Sequence, residues 1–174
     1  MERLQEMYDS VEATIQTEIE KRLSSWDKIL LTQTETHVKN FFNHINEKEQ
    51  KGHVVITYLK SSYVTGTHHF KIALYKNEPF TNLYPVHIYM DMTMLFQNIE
   101  KDFSVINNEL NDNFIRIKKG EYAEIKRCYL EQLYMKSCEV FNRILKDEKI
   151  ETQERIVLFG EELGELIVMS GGLP

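Results

Sequence analysis

The feature that most constrains this chain is the spacing of its apolar residues, which changes twice along its length. From the start they fall at Leu4, Met7, Tyr8, Val11, Ile15, Ile19 and Leu23, in steps mostly of three and four with charged residues between them. That spacing lays one apolar stripe on a helix of roughly 20 residues. After His53 the period shortens to two, in "HVVITYLKSSYV", "THHFKIALYK" and "PVHIYMDM", which are rich in Val, Ile, Tyr and Phe. Such alternation marks half-buried strands. From Thr93 the helical period returns, with Leu95, Phe96, Ile99, Phe103 and Ile106 on one face.

Punctuation divides these stretches into elements. "SSW" at 24–26 with Asp27 behind it offers a serine cap, so the first 51 residues are expected to form two helices. The second of them runs through "DKILLTQTETHVKNFFNHINEKEQ" and stops near Gly52. Past the strands, "TMLFQNIEKDFSVINNEL" forms a helix, a long helix runs from Glu121 to about Lys146, and "TQERIVLFGEELGELIVM" forms a last one. The chain of 174 residues is then a single domain, helical over 1–51, sheet over 52–92 and helical over 93–174. The expected fold class is α+β: two N-terminal helices, a three-stranded antiparallel meander, then three C-terminal helices packed on one sheet face. No internal repeat interrupts this order.

Composition narrows the function classes. The 9 Tyr, 9 Phe and single Trp argue against disorder, because aromatic burial offsets the entropy of ordering. A net charge of -6 disfavours nucleic acid and anionic membranes as partners. No apolar run approaches the roughly 18 residues of a membrane span, and "MERLQEMYDSVEA" lacks a signal-peptide core. Cys128 and Cys138 stand ten apart in one expected helix, about 15 Å and beyond disulfide reach. The expectation is a reduced, cytoplasmic protein.

The stretch "SSYVTGTHHF" at 61–70 gathers the most chemistry. With Thr65-Gly66 as a two-residue turn it is a hairpin, in which Ser62 faces His69, Lys60 faces Lys71 and Tyr58 faces Ala73. Leu59 and Ile72, with Thr57 and Leu74, then share the apolar side. The third strand fits with Lys71 opposite Asp91 and Tyr75 opposite His87. His68 and His69 point to opposite faces and cannot grip one metal. The open face carries Ser62, His69, Lys71, Tyr75, His87, Tyr89 and Asp91. Such a face is either simply solvated or a contact surface, and His69, Lys71, Tyr75, His87 and Tyr89 are the candidate protein-binding residues. Ser62, His69 and Asp91 lack a nucleophile elbow and an oxyanion hole, so no catalytic residue is assigned.

Other clusters give weaker signals. His37 and His44 lie two helical turns apart, about 10 Å, too far for one metal, and His53 has no partner. In "FGEELGEL", Glu161, Glu162 and Glu165 resemble the EExxE half of the magnesium site in the all-α nucleoside-triphosphate pyrophosphatases. That resemblance implies carboxylates converging on a hard cation from one helix face. It covers about eight residues and lacks the family's second acidic pair, so a solvated charged stripe is preferred. "RIKKGEYAEIKR" gathers Arg116, Lys118, Lys119, Lys126 and Arg127, but Glu121 and Glu124 interleave them. No phosphate loop or CxxC pair occurs, and no metal or cofactor is expected.

These observations favour a non-enzymatic, intracellular protein-binding or regulatory module. The alternatives are a metal-dependent hydrolase using Glu161, Glu162 and Glu165, and an acidic inhibitor covering a basic nucleic-acid site on a partner. The near-heptad stripe of the first helix, at residues 4, 8, 11, 15 and 19, further suggests a homodimer through that helix.

Overall fold

The computed structural model describes residues 2–48, 51–59, 61, 65–81, 85–147, 150, 152 and 155–170, with 27–33 and 170 described by backbone alone. One helix, α1 (Glu2–Glu47), occupies the whole N-terminal quarter. Three strands follow, β1 (His53–Tyr58), β2 (His69–Tyr75) and β3 (Val86–Asp91). A 3-10 turn (Thr93–Phe96) leads into α2 (Ile99–Asn113), α3 (Lys119–Lys136) and α4 (Cys138–Asp147). The described chain closes with β4 (Ile156–Glu161) and β5 (Leu166–Ser170). The fold is α+β, as expected. The long helix expected from Glu121 to about Lys146 is two, α3 and α4, which meet at Ser137 and put Cys128 and Cys138 in different helices. The architecture differs in two larger ways.

The first difference is that α1 is one helix of 46 residues, not two. Ser24 and Ser25 do not cap a new helix. Ser24 Oγ donates to Glu20 O at 2.9 Å and Ser25 Oγ to Arg22 O at 2.6 Å, so both hydroxyls are satisfied inside a continuing helix. Next to them Trp26 is 1% exposed and its indole N–H donates to Leu95 O at 2.7 Å, which fixes the helix across the point of the expected break. The stripe of Met7, Val11, Ile15 and Ile19 is buried within the monomer, against α2 and α3. Leu4 and Tyr8, the first two positions of the expected dimer stripe, are half-buried, while Val11, Ile15 and Ile19 are buried inside the monomer, so the dimer expected through this helix finds no support.

The second difference is the sheet, which has five strands in the order β3-β2-β1-β4-β5. β1 pairs antiparallel with β2 and parallel with β4; the remaining pairs are antiparallel. The three-stranded meander is therefore only part of a mixed sheet, and the expected last helix is a hairpin. Gly160 and Gly164 explain the change. At helical i and i+4 they would cost about 2 kcal/mol against alanine. In the hairpin they are required: a Cβ on Gly160 would lie 2.0 Å from Glu165 O, and one on Gly164 2.9 Å from Glu161 Cβ. Val157 and Phe159, alternate along β4, are fully buried against the helices.

Side-chain alternation sorts the sheet into two faces. Val54, Ile56, Tyr58, Phe70, Ile72, Leu74 and Met90 join the helices in the main core. The register of the first hairpin departs from expectation: Tyr58 faces Phe70 and Ile56 faces Ile72. That offset of three residues turns β1 over, placing Thr57 on the open side rather than the apolar one. The connection at 59–68 is ten residues, not a two-residue turn, because it includes a turn closed by Thr65 N–H donating to Ser61 O at 2.9 Å. Lys60, Ser62 and Val64 lie outside the described residues. Gly66 takes the left-handed conformation at φ 65° that a glycine tolerates.

Substituting Gly160 by alanine is expected to drive β4 and β5 apart and to lower stability by about 3 kcal/mol. Urea unfolding and amide exchange along β5 measure it. An unchanged midpoint with unchanged β5 protection would show that the close approach is not required.

Candidate functional site

All described helices lie on one side of the sheet; on the other no described helix or strand packs, but Phe80 of the β2–β3 connection does. Strand alternation puts His69, Lys71, Ala73 and Tyr75 of β2 on that open side, beside His87, Tyr89 and Asp91 of β3. β1 adds Val55 and Thr57, β4 adds Leu158 and Gly160, and β5 adds Leu166 and Val168. The five expected binding residues therefore share one face. They are not equivalent: Tyr89 is 55% exposed and His87 exposed, whereas Tyr75 is buried against Phe80 with ring centroids 5.6 Å apart.

The register places partners differently from the expected scheme. Lys71 faces Tyr89, and Asp91 faces His69. The shift is two residues, so the faces are kept while the pairs change. Lys71 finds its carboxylate across the sheet instead, with Nζ 3.0 Å from Glu162 Oε1. Burial alone would lower the ammonium pKa, but the hydrogen bond to Glu162 and the neighbouring Tyr75, Glu162 and Tyr89 outweigh it and raise it. Burial also raises the Tyr75 phenol. The pairing with Glu162 thus favours the charged form of Lys71. Asp91 accepts from the backbone N–H of Thr93 at 2.8 Å, and its hydrogen bonding to Thr93 holds its pKa down.

Val55, Ala73 and Tyr75 with Phe80, Leu158 and Leu166 form a second, smaller apolar cluster in the middle of this face. The middle of this side is therefore closed within the monomer beside one half-buried ion pair, and its exposed part is His87 and Tyr89, with His69 half-buried next to them.

The carboxylates of the metal-site resemblance do not meet. Glu161 ends β4, and Glu162 and Glu165 belong to the turn that follows, so the shared helix face on which they would converge does not exist. Ser62 lies outside the described residues, so its expected place beside His69 is not described. His37 and His44 are exposed along α1. In the basic stretch Lys126 pairs with Glu100, and Arg127 with Glu124 and Glu131. A groove of about 620 Å³ between α1 and α3 is floored by Leu4, Tyr8, Ile125 and Cys128, far in the fold from the open face. Burial raises the Cys128 thiol, which makes it a poor nucleophile.

One residue of the opening stretch has a role that its sequence context did not show. His68 is 8% exposed, stacked on Phe96 with centroids 4.3 Å apart, and shares a hydrogen bond through Nδ1 with the Tyr134 hydroxyl. Burial lowers its pKa to about 4. The signal was faint: a histidine just before an apolar strand reads as turn polarity. Comparison with protein families, with curated proteins and with solved structures gives no match to this chain.

Two outcomes follow for this region. Lys71→Ala leaves Glu162 without its cation at a site where the lysine side chain is only 13% exposed. It is expected to cost about 1–2 kcal/mol, more than a fully exposed pair, with coupling to Glu162→Gln in a double-mutant cycle. Zero coupling would remove the pair from the account. For His68, the native state favours the neutral ring. Its contribution is complete above about pH 6.5 and is lost as pH falls toward 4, amounting to about 3 kcal/mol. His68→Gln is expected to flatten the stability profile over that window, and parallel profiles for the two proteins would show that His68 does not titrate differently on folding.

Proposed function

We propose that the protein is a non-enzymatic protein-binding module whose contact surface is the open face of the sheet. One observation carries this reading. The side of the sheet away from the helices exposes Tyr89 and His87 of β3 beside a part-buried Lys71–Glu162 pair, over a small apolar cluster on which Phe80 and Leu166 pack. Sheet faces that meet only water alternate toward polar residues throughout. Interface centres instead combine aromatic anchors with desolvated, paired charges. His69 and His87 supply the adaptable polar rim. Among the described residues no helix is long and apolar enough to cross a membrane. An intracellular setting fits the two free cysteines, Cys128 and Cys138.

Two variants separate binding from folding. Tyr89→Asp and His87→Glu change exposed side chains and are expected to leave the unfolding midpoint within a few tenths of a kcal/mol. Purification from the native host, read by quantitative mass spectrometry, is expected to enrich one protein with the parent chain and to lose it with both variants. Lys119→Glu, on the helical side, is expected to retain it. Equal enrichment with all four proteins would count against the open face as the contact surface.

A further inference from the structure

The second edge of the sheet differs from the first. β3 follows Pro85 and ends on Asp91, and a proline and a charge are the usual means of blunting an edge. β5 has neither. It reads Leu166, Ile167, Val168, Met169 and Ser170 with no charge, and Ile167 and Val168 are 40% and 70% exposed. The two point to opposite faces of the sheet, so the edge is apolar above and below. β5 is the end of the strand order, and no described residue beyond β4 makes a backbone hydrogen bond to it. At the hairpin tip Leu163 adds an apolar side chain that is 79% exposed, on a left-handed backbone at φ 63° that a leucine rarely adopts. Strain of that kind is kept where the surrounding structure uses it.

We infer that β5 pairs antiparallel with β5 of a second copy about a two-fold axis at Val168, joining two sheets into one of ten strands. The apolar sequence of the strand suits a second copy of itself, and charge sets the direction. Exposed Glu165 directly precedes the strand, Glu162 is already paired with Lys71, and no acidic residue follows within the strand. A parallel copy would bring the two Glu165 positions roughly 5 Å apart, in a chain whose net charge is -6. The antiparallel arrangement separates the two Glu165 positions by about 20 Å, beyond the screening length of about 8–10 Å. The strand is also self-complementary in that register. Val168 meets Val168, Ile167 meets Met169, and Leu166 meets Ser170, so apolar side chains cover each other on both faces. The two-fold closes both apolar edges and leaves the two β3 edges outermost, which prevents growth into a fibre. A single strand pair is a small interface, so the association is expected to be weak and reversible.

This inference stands apart from the open-face reading, and the experiment separates the two. Sedimentation equilibrium of the full chain, under reducing conditions from roughly 10 to 300 µM, is expected to show mass rising from 20.7 kDa toward twice that value. Val168→Lys and Ile167→Lys alter exposed positions and are expected to remain folded and monomeric, with unchanged circular dichroism. Tyr89→Asp, which tests the open face, is expected to dimerise like the parent. In a Cys128→Ser, Cys138→Ser background, Val168→Cys is expected to form a disulfide-linked dimer when two thiols are oxidised by oxidised glutathione, and Tyr89→Cys is not. A parent chain monomeric throughout would overturn the inference. So would association that survives both lysine variants, cross-linking through Tyr89→Cys as readily as through Val168→Cys, or growth beyond the dimer.

Discussion

The parallel pairing of β1 with β4 is the contact on which the rest of this fold depends. β1 is the middle strand, with Val54 and Ile56 buried on the helical side and Val55 and Thr57 buried on the other. A parallel neighbour cannot be reached by a tight turn, so the chain between the two strands must make a crossover. The segment 93–147 is that crossover, and its helices become the layer that buries the sheet's apolar side. Pairing His53 with Ile156 through Tyr58 with Glu161 also fixes where β4 ends, and so where the hairpin to β5 turns. The ladder runs one step past β4, where Glu162 N–H donates to Tyr58 O at 3.0 Å.

The long N-terminal helix is the second constraint, and it works as a strut. At 46 residues it is about 69 Å long, more than a compact domain of this size needs for any one contact. Its first half lies on α2 and α3, with Arg22 bound to Asp102 and to Leu95 O and Gln97 O. Its far end meets the start of β4, where buried Arg155 donates to Asn46 Oδ1 at 2.5 Å and to Ile45 O at 3.4 Å. A guanidinium against the last carbonyls of a helix suits the negative end of its dipole. The helix therefore ties the crossover helices to the strand they deliver, and most of its apolar stripe, Met7, Val11, Ile15 and Ile19, is buried in doing so.

What could be read from the sequence follows from which signals are local. The faces of β2 and β3 were legible, since Phe70, Ile72 and Leu74 alternate cleanly with Lys71, Ala73 and Tyr75. Register was not, because it depends on the length of the 59–68 connection and no residue there announces it. The serines at 24 and 25 misled because a hydroxyl can cap a helix or bond back into one, and the choice was made by Trp26 reaching Leu95, 69 residues away. The hairpin at 156–170 misled for a related reason. Its apolar residues fit a helix about as well as a strand, and its strand character is decided by a neighbour about 100 residues earlier. The candidate face was legible as a set of residues, while its central feature, Lys71 on Glu162, joins two stretches 91 residues apart.

That pair also links the two surfaces that the sheet presents. Glu162 sits where β4 gives way to the hairpin turn, and its carboxylate reaches over β1 to Lys71 on β2. The turn is therefore held from two directions, by its backbone on Tyr58 and by its side chain on Lys71. With the turn held, Gly160 can bring β5 against β4 at a distance no other residue would allow. The exposed edge at Ile167 and Val168 is placed by the ladder to β4, directly after the turn that this ion pair holds. Sheet edge and sheet face thus meet at one half-buried pair, whose two residues lie 91 positions apart in the sequence.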